Sequence, residues 1–192
     1  TLRTDLGFRS EGVALARFDL GILGYEAGEA MDLLRRADER LSGLAGVEAV
    51  GWGSRAPLQV GGNLGVLVEI PGLRPPPEEG IRVEYVVGGG ELLDALGIRV
   101  VRGRDALSPP DVGPVALVDG AMAERYWGSA EAAVGEGLVF GGQSFAVAGV
   151  TDAVHWRELA NEATNYVLLP AGVAPSFLAV SYTHLTLPTK RI

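Results

Sequence analysis

The chain has no cysteine in 192 residues, which removes disulfides, thiolate metal sites and cysteine nucleophiles and is compatible with an oxidising compartment. It has only two histidines, His155 and His184. Without cysteines or a local carboxylate cluster they fall short of the three or four ligands that a metal site needs. No G-x-x-x-x-G-K-[ST] run is present, so nucleotide hydrolysis has no phosphate cradle here, and any ATPase would be another chain or domain. No apolar run reaches the ~18 to 20 residues that span a bilayer, and the first residues are not a basic stretch leading into an apolar one. Basic charge is short as well: 16 Lys and Arg against 24 Asp and Glu give a net charge of -8 and a pI near 4.8. Such a surface repels nucleic acid and anionic membranes. The expectation is a soluble, globular piece with no cofactor, no metal and no nucleic-acid partner.

What is present is the makings of a core. Hydrophobic residues are 47% of the chain, enough for one domain or two small lobes. The stretch Ile81–Leu107 organises the rest. Ile81, Val83, Tyr85 and Val87 alternate with Arg82, Glu84 and Val86, the period of a half-buried strand, and Gly88 to Gly90 are expected to break it. Glu91 to Leu96 suits a turn or two of helix with Leu92, Leu93 and Leu96 on one side and Gly97 as a left-handed cap. Ile98, Val100 and Val101 resume the extended pattern, and Arg102-Gly103-Arg104-Asp105 closes the unit in a charged turn.

Around that unit, Val13 to Leu20 alternates as a first strand. Glu26 to Leu44 is the clearest helix, with Ala30, Met31, Leu34, Ala37, Leu41 and Leu44 at three- and four-residue steps. Val47 to Trp52 reads as a second strand, giving a β-α-β unit that is right-handed if its strands are parallel in one sheet. Val66, Val68 and Ile70 mark a further strand, and the proline-rich run 73–80 is the expected boundary between two lobes. Pro114 to Asp119 is a buried strand and Ala121 to Trp127 a short helix. Leu138–Phe140 and Phe145–Val150 flank Gly141-Gly142-Gln143-Ser144 as a hairpin.

Two local patterns invite enzymatic readings. Gly51-Trp52-Gly53-Ser54-Arg55-Ala56 matches the dinucleotide fingerprint G-x-G-x-x-A. However, Pro57 and Gly61-Gly62-Asn63 follow where a helix N-terminus should hold pyrophosphate, so it reads as a glycine-rich exit from a strand. Gly142-Gln143-Ser144-Phe145-Ala146 is one residue from a nucleophile elbow, with Asp152 and His155 nearby. An elbow turns from strand into helix, whereas Phe145 onward is strand. No residue is therefore assigned a catalytic, cofactor-binding or metal-binding role.

The organising stretch also resembles a known family. Tyr85, Val86, Leu92, Leu96, Gly97, Ile98, Gly103, Arg104 and Asp105 match the "Y-x-x-V…F/L-x-x-L-G-I-x-x-x-x-G-R-x-F" segment of the MacB-like periplasmic core domain of ABC-transporter permeases of the MacB/FtsX type, including the orphan-permease branch. Ala123, Tyr126, Trp127, Gly135, Phe145, Gly149 and Val150 continue the resemblance, as does Tyr166-Val167-Leu168-Leu169-Pro170. Two departures are visible: Gly89 and Gly90 replace an aromatic pair, and Ala133 stands where a proline is usual.

The resemblance implies an α+β fold of two small lobes. Residues 1–72 with a return segment at 160–180 would form a β-α-β lobe, and residues 81–154 an inserted lobe of strand-helix-strand plus hairpin. It implies a non-catalytic extracytoplasmic core of a permease subunit at the periplasmic face of the bacterial cell membrane, anchored by transmembrane helices outside this chain. That core would relay nucleotide-driven motion to substrate or partner proteins. The implied partners are an ATP-binding subunit or domain and a periplasmic adaptor protein, in an intact protein that is a homo-oligomer. The competing readings are a soluble hydrolase or nucleotide-binding enzyme and a small secreted binding module. Residues 181–192, SYTHLTLPTKRI, depart abruptly from the composition before them and look like translated adapter or vector sequence that does not pack. The family's second strand-helix-strand segment would begin near Phe177–Val180. Strands near Leu15, Val50 and Val68 are thus expected to lack neighbours.

Overall fold

The computed structural model describes residues 6–57, 65–73, 80–107, 114–154, 165–171 and 183–188, the last segment and Phe18 as backbone alone. It is a mixed α+β structure of one sheet and four helices: β1 Val13–Phe18, α1 Ala27–Ser42, β2 Gly51–Gly53, β3 Val66–Glu69, β4 Ile81–Gly90, α2 Leu92–Leu96, β5 Val100–Gly103, β6 Val115–Asp119, α3 Gly120–Trp127, α4 Ala130–Ala133, β7 Gly137–Phe140, β8 Gln143–Thr151, β9 Tyr166–Pro170 and β10 Thr183–Pro188. Among the described residues no helix is long and apolar enough to cross a membrane.

Six strands close a ring. β4 pairs with β3, β3 with β7, β7 with β8, β8 with β6, β6 with β9, and β9 returns to β4. The pairing pattern is mirrored about the β3–β7 and β6–β9 contacts, with β3, β4 and β9 matching β7, β8 and β6. The β3–β4 and β7–β8 pairs are antiparallel, β4–β9 and β8–β6 are parallel, and antiparallel β3–β7 and β6–β9 join the halves. Alternation then sorts the side chains. Val83 and Val87 of β4, Ala116 and Val118 of β6, and Val167 and Leu169 of β9 enter one core with Phe140, Phe145 and Met122. Phe140 meets Tyr85 and Phe145 edge-on, with centroids 5.2 and 6.2 Å apart. The opposite faces of the same three strands supply Val86, Leu117, Tyr166 and Leu168 to a second core under α2. The half-buried strand expected at Ile81–Val87 is therefore covered on both sides.

β4 is longer than its alternation suggested. Gly88 to Gly90 continue the strand and pair with β2, with only Gly90 at positive φ. The glycines give room rather than a break. A Cβ on Gly51 would overlap the Leu92 backbone, and one on Gly89 would overlap the Trp52 ring. Trp52 thus occupies the space beside Gly89, and α2 can lie close against β2.

β2 and β3 run along the same edge of β4. From the Gly53–Gly88 pair to the Val66–Val83 pair, 13 residues pass on one side (53 to 66) and five on the other (88 to 83). They are two parts of one strand interrupted by an excursion. Consequently β3, expected in the first lobe, lies in the barrel, and the proline-rich run joins two adjacent antiparallel strands. The strand near Val68 has neighbours on both sides, β4 and β7.

Beyond β2 the sheet continues to β10 and ends at β1, both pairings antiparallel. β1 and β2 are therefore parallel to one another with β10 between them, and α1 covers them by packing Leu34 against Leu20 and Trp52. Of residues 181–192, expected to stay unpacked, 183–188 pair as β10 between β1 and β2, so β1 has a neighbour where none was expected. Two parallel strands one strand-width apart present open N–H and C=O groups to the gap, and main-chain pairing fills it with little regard to sequence.

Candidate functional site

Among the described residues, the local motifs that invited enzymatic readings do not come together. Ser144 pairs with Val139 beside the Gly141-Gly142 turn. Asp152 follows the far end of β8 and accepts from Arg99 Nε at 2.7 Å. With ~3.3 Å of rise per residue, Ser144 and Asp152 stand about 25 Å apart. His155 lies outside the described residues, and the backbone of His184 sits in β10 opposite Arg17 and Gly53. Gly51-Trp52-Gly53 is strand, and Ser54 continues along β4, its N–H donating to Val87 O at 2.8 Å and its Oγ accepting from Val87 N at 3.0 Å. Among the described residues that follow, 54–57, no helix begins to hold a pyrophosphate. Among the described residues no group of three or more His, Asp or Glu could hold a metal ion.

A site that sequence reading missed lies where β4 crosses from the barrel to the outer strands. Glu84 and Tyr166 are buried on the second-core face of β4 and β9. The Tyr166 hydroxyl donates to Glu84 Oε2, and Arg55 Nη1, from the segment after β2, lies 3.6 Å from the same oxygen. One strand along, Asn165 O accepts from Glu84 N at 2.9 Å, and Asn165 Nδ2 donates to Tyr126 Oη of α3 at 3.1 Å. The cluster ties the segment after β2, the shared strand β4, β9 and α3 together. Its chemistry is that of a latch: the carboxylate is held between a phenol and a guanidinium, and the cluster contains no activated nucleophile. Alternation placed Glu84 with Arg82 on a polar face. What defeated that reading is that both faces of β4 are covered.

A second buried carboxylate, Asp119, ends β6 and caps α3, its Oδ1 accepting from Met122 N at 2.7 Å. Burial pushes its carboxyl up to about 7, against the opposing pull of the Met122 and Tyr166 backbone N–H groups and the Arg125 charge. The sequence carries a signal for the cap, an Asp directly before an apolar helix, but none for its burial.

The fold is shared with extracellular and periplasmic domains of transporter and permease proteins. The chain is similar to the extracellular domain of the ABC-type transporter YknZ from Gram-positive bacteria, with 18% identity, 82% of this chain and 73% of that one covered, and a TM-score of 0.53. It is similar to the periplasmic region of MacB from Actinobacillus actinomycetemcomitans, with 13% identity, 96% and 77% covered, and a TM-score of 0.56. It is also similar to a domain assigned to a permease protein from Porphyromonas gingivalis, with 13% identity, 77% and 64% covered, and a TM-score of 0.50. At these identities the likeness is one of fold. No protein-family model matches the chain, and no curated protein matches it.

Proposed function

We propose that the chain is the extracytoplasmic core of an ABC-transporter permease subunit, held at the outer face of the cell membrane by helices outside this sequence. It performs no chemistry of its own and passes nucleotide-driven motion of the membrane helices to substrate or partner proteins. The observation that carries this reading is the shared fold with three transporter domains. The architecture is also suited to the task. β4 runs unbroken from the barrel to the outer strands, so a displacement of one reaches the other through continuous main-chain pairing. An ATP-binding subunit or domain supplies the energy, a periplasmic adaptor is a partner, and the intact protein is a homo-oligomer.

The test is the sequence of the gene around this segment. An apolar run of ~20 residues directly upstream of Thr1, able to cross a bilayer, is the expected result. Its absence removes the permease reading and leaves a secreted binding module.

A further inference from the structure

Ile22 and Leu23 stand 84% and 63% exposed, with Tyr25 41% exposed beside them. They occupy the turn between β1 and α1. Scattered apolar residues on a surface need no explanation, but this display is built. Leu20, at its base, is 2% exposed and enters the core with Leu34 and Trp52. Leu23 N donates to Asp19 O at 3.2 Å, Gly24 N to Gly21 O at 3.0 Å and Tyr25 N to Leu20 O at 3.0 Å. Asp19 Oδ1 accepts from Ile22 N at 3.0 Å. Gly24, at φ +83, has nothing within 4 Å of where a side chain would begin. A turn fixed in this way has already met the ordering cost that a flexible loop meets on binding.

The surrounding charge selects the occupant. The acids nearest the turn in sequence are Asp19, Glu26 and Glu29, and the nearest base is Arg17; Asp32, further along α1, lies 3.8 Å from Arg35. An anionic bilayer is repelled by that rim. A second copy of the chain, meeting the turn across a twofold axis, would set one acidic rim against the other.

We infer that the turn at residues 21–25 is a docking anchor for a partner protein that presents an apolar pocket bordered by Lys and Arg. Ile22 and Leu23 enter the pocket, and Glu26 and Glu29 meet its basic border. The inference stands on the turn and its charges, and it holds whether or not the chain serves a transporter.

The test uses the intact protein in its own cells with a benzophenone amino acid in place of Ile22. Photolysis is expected to give a discrete protein adduct whose cross-linked peptide is apolar and flanked by Lys or Arg. Placing the probe at Asp32 should give far less adduct. The double substitution Glu26→Gln and Glu29→Gln keeps capping side chains at the start of α1 and removes both charges. It should lower the Ile22 adduct by about threefold or more, with the helix signal of the protein unchanged. Adducts with phospholipid alone, with a second copy of the chain, or with nothing overturn the inference. So does a protein adduct whose yield ignores the loss of the two charges.

Discussion

At the scale of single residues, the positions that matter most are glycines pressed against backbone and carboxylates taken out of water. Gly103, at φ +76, faces Gly149 across the β5–β8 pair. A Cβ on Gly103 would overlap Ala148 O, and one on Gly149 would overlap Arg104 O. Backbone cannot swing aside as a side chain can, so Gly103→Ala combines left-handed strain with a forced separation of two strands. The expected loss is about 2 kcal/mol or more. Gly142 gives the contrast: its φ is +79 but nothing lies within 4 Å. Asn is well suited to such hairpin turns, so Gly142→Asn should cost less than about 1 kcal/mol. Urea unfolding of the two variants decides it, and equal losses would mean that close approach is not what fixes Gly103.

Asp119 carries a prediction of a different kind. Its carboxyl, ordinarily near 3.8, is raised to about 7 in the fold, so between those values the folded chain holds a proton that the unfolded chain has released. The contribution to stability is complete below about pH 4 and is lost as pH rises through about 7. At about 1.4 kcal/mol per unit, the full swing is on the order of 4 kcal/mol. Asp119→Asn keeps an oxygen to accept from Met122 N and cannot ionise. The melting temperature of the variant should gain on the parent between pH 5 and pH 8, by several degrees for a domain of this size. Parallel curves across that range would show that Asp119 is ionised in the fold without penalty.

At the scale of elements, what could be read from sequence was what is decided locally. The α1 periodicity, the left-handed Gly97 cap after α2 and the hairpin at Gly141-Gly142 all rest on residues a few positions apart, and each is where the pattern put it. Both turn glycines of the hairpin have positive φ, at 59° and 79°. Partnership between strands is not decided locally. β2 and β3 form one interrupted edge along β4, but they are separated in sequence by the excursion that interrupts them. The prolines after β3 suggested an ending where the chain only turns back. β10 shows the same limit from the other side. A segment of foreign composition takes the gap between β1 and β2, because what the gap requires is extended backbone. Nor was the polar cluster legible: Arg55, Glu84 and Asn165 look like surface residues until two strands, the segment after β2 and a helix converge on them.

At the scale of the molecule, these pairings divide stability unevenly. The six-strand ring is closed, leaving β4, β6 and β9 buried on both faces, and it holds Phe140, Phe145, Met122 and Leu169 fully or nearly fully out of water. The outer strands rest on Leu20, Leu34 and Trp52, with β1 last in the strand order of the described residues and Leu15 and Leu44 exposed. Local opening follows apolar burial and backbone protection. Hydrogen exchange by mass spectrometry should therefore find slow amides in β4 and in β6 to β8, and amides in β1 and α1 exchanging faster by a wide margin. β3 is the informative element. Because it pairs on both sides within the ring, Val66–Glu69 should exchange as slowly as β7, although it lies before the proline-rich run. If β3 instead exchanges with β1, the mechanical boundary lies at residues 73–80, and the barrel ends one strand earlier than its hydrogen bonds indicate. If β1 is as slow as the ring, the chain opens as one unit, and the proposed relay would act as a rigid body rather than through β4.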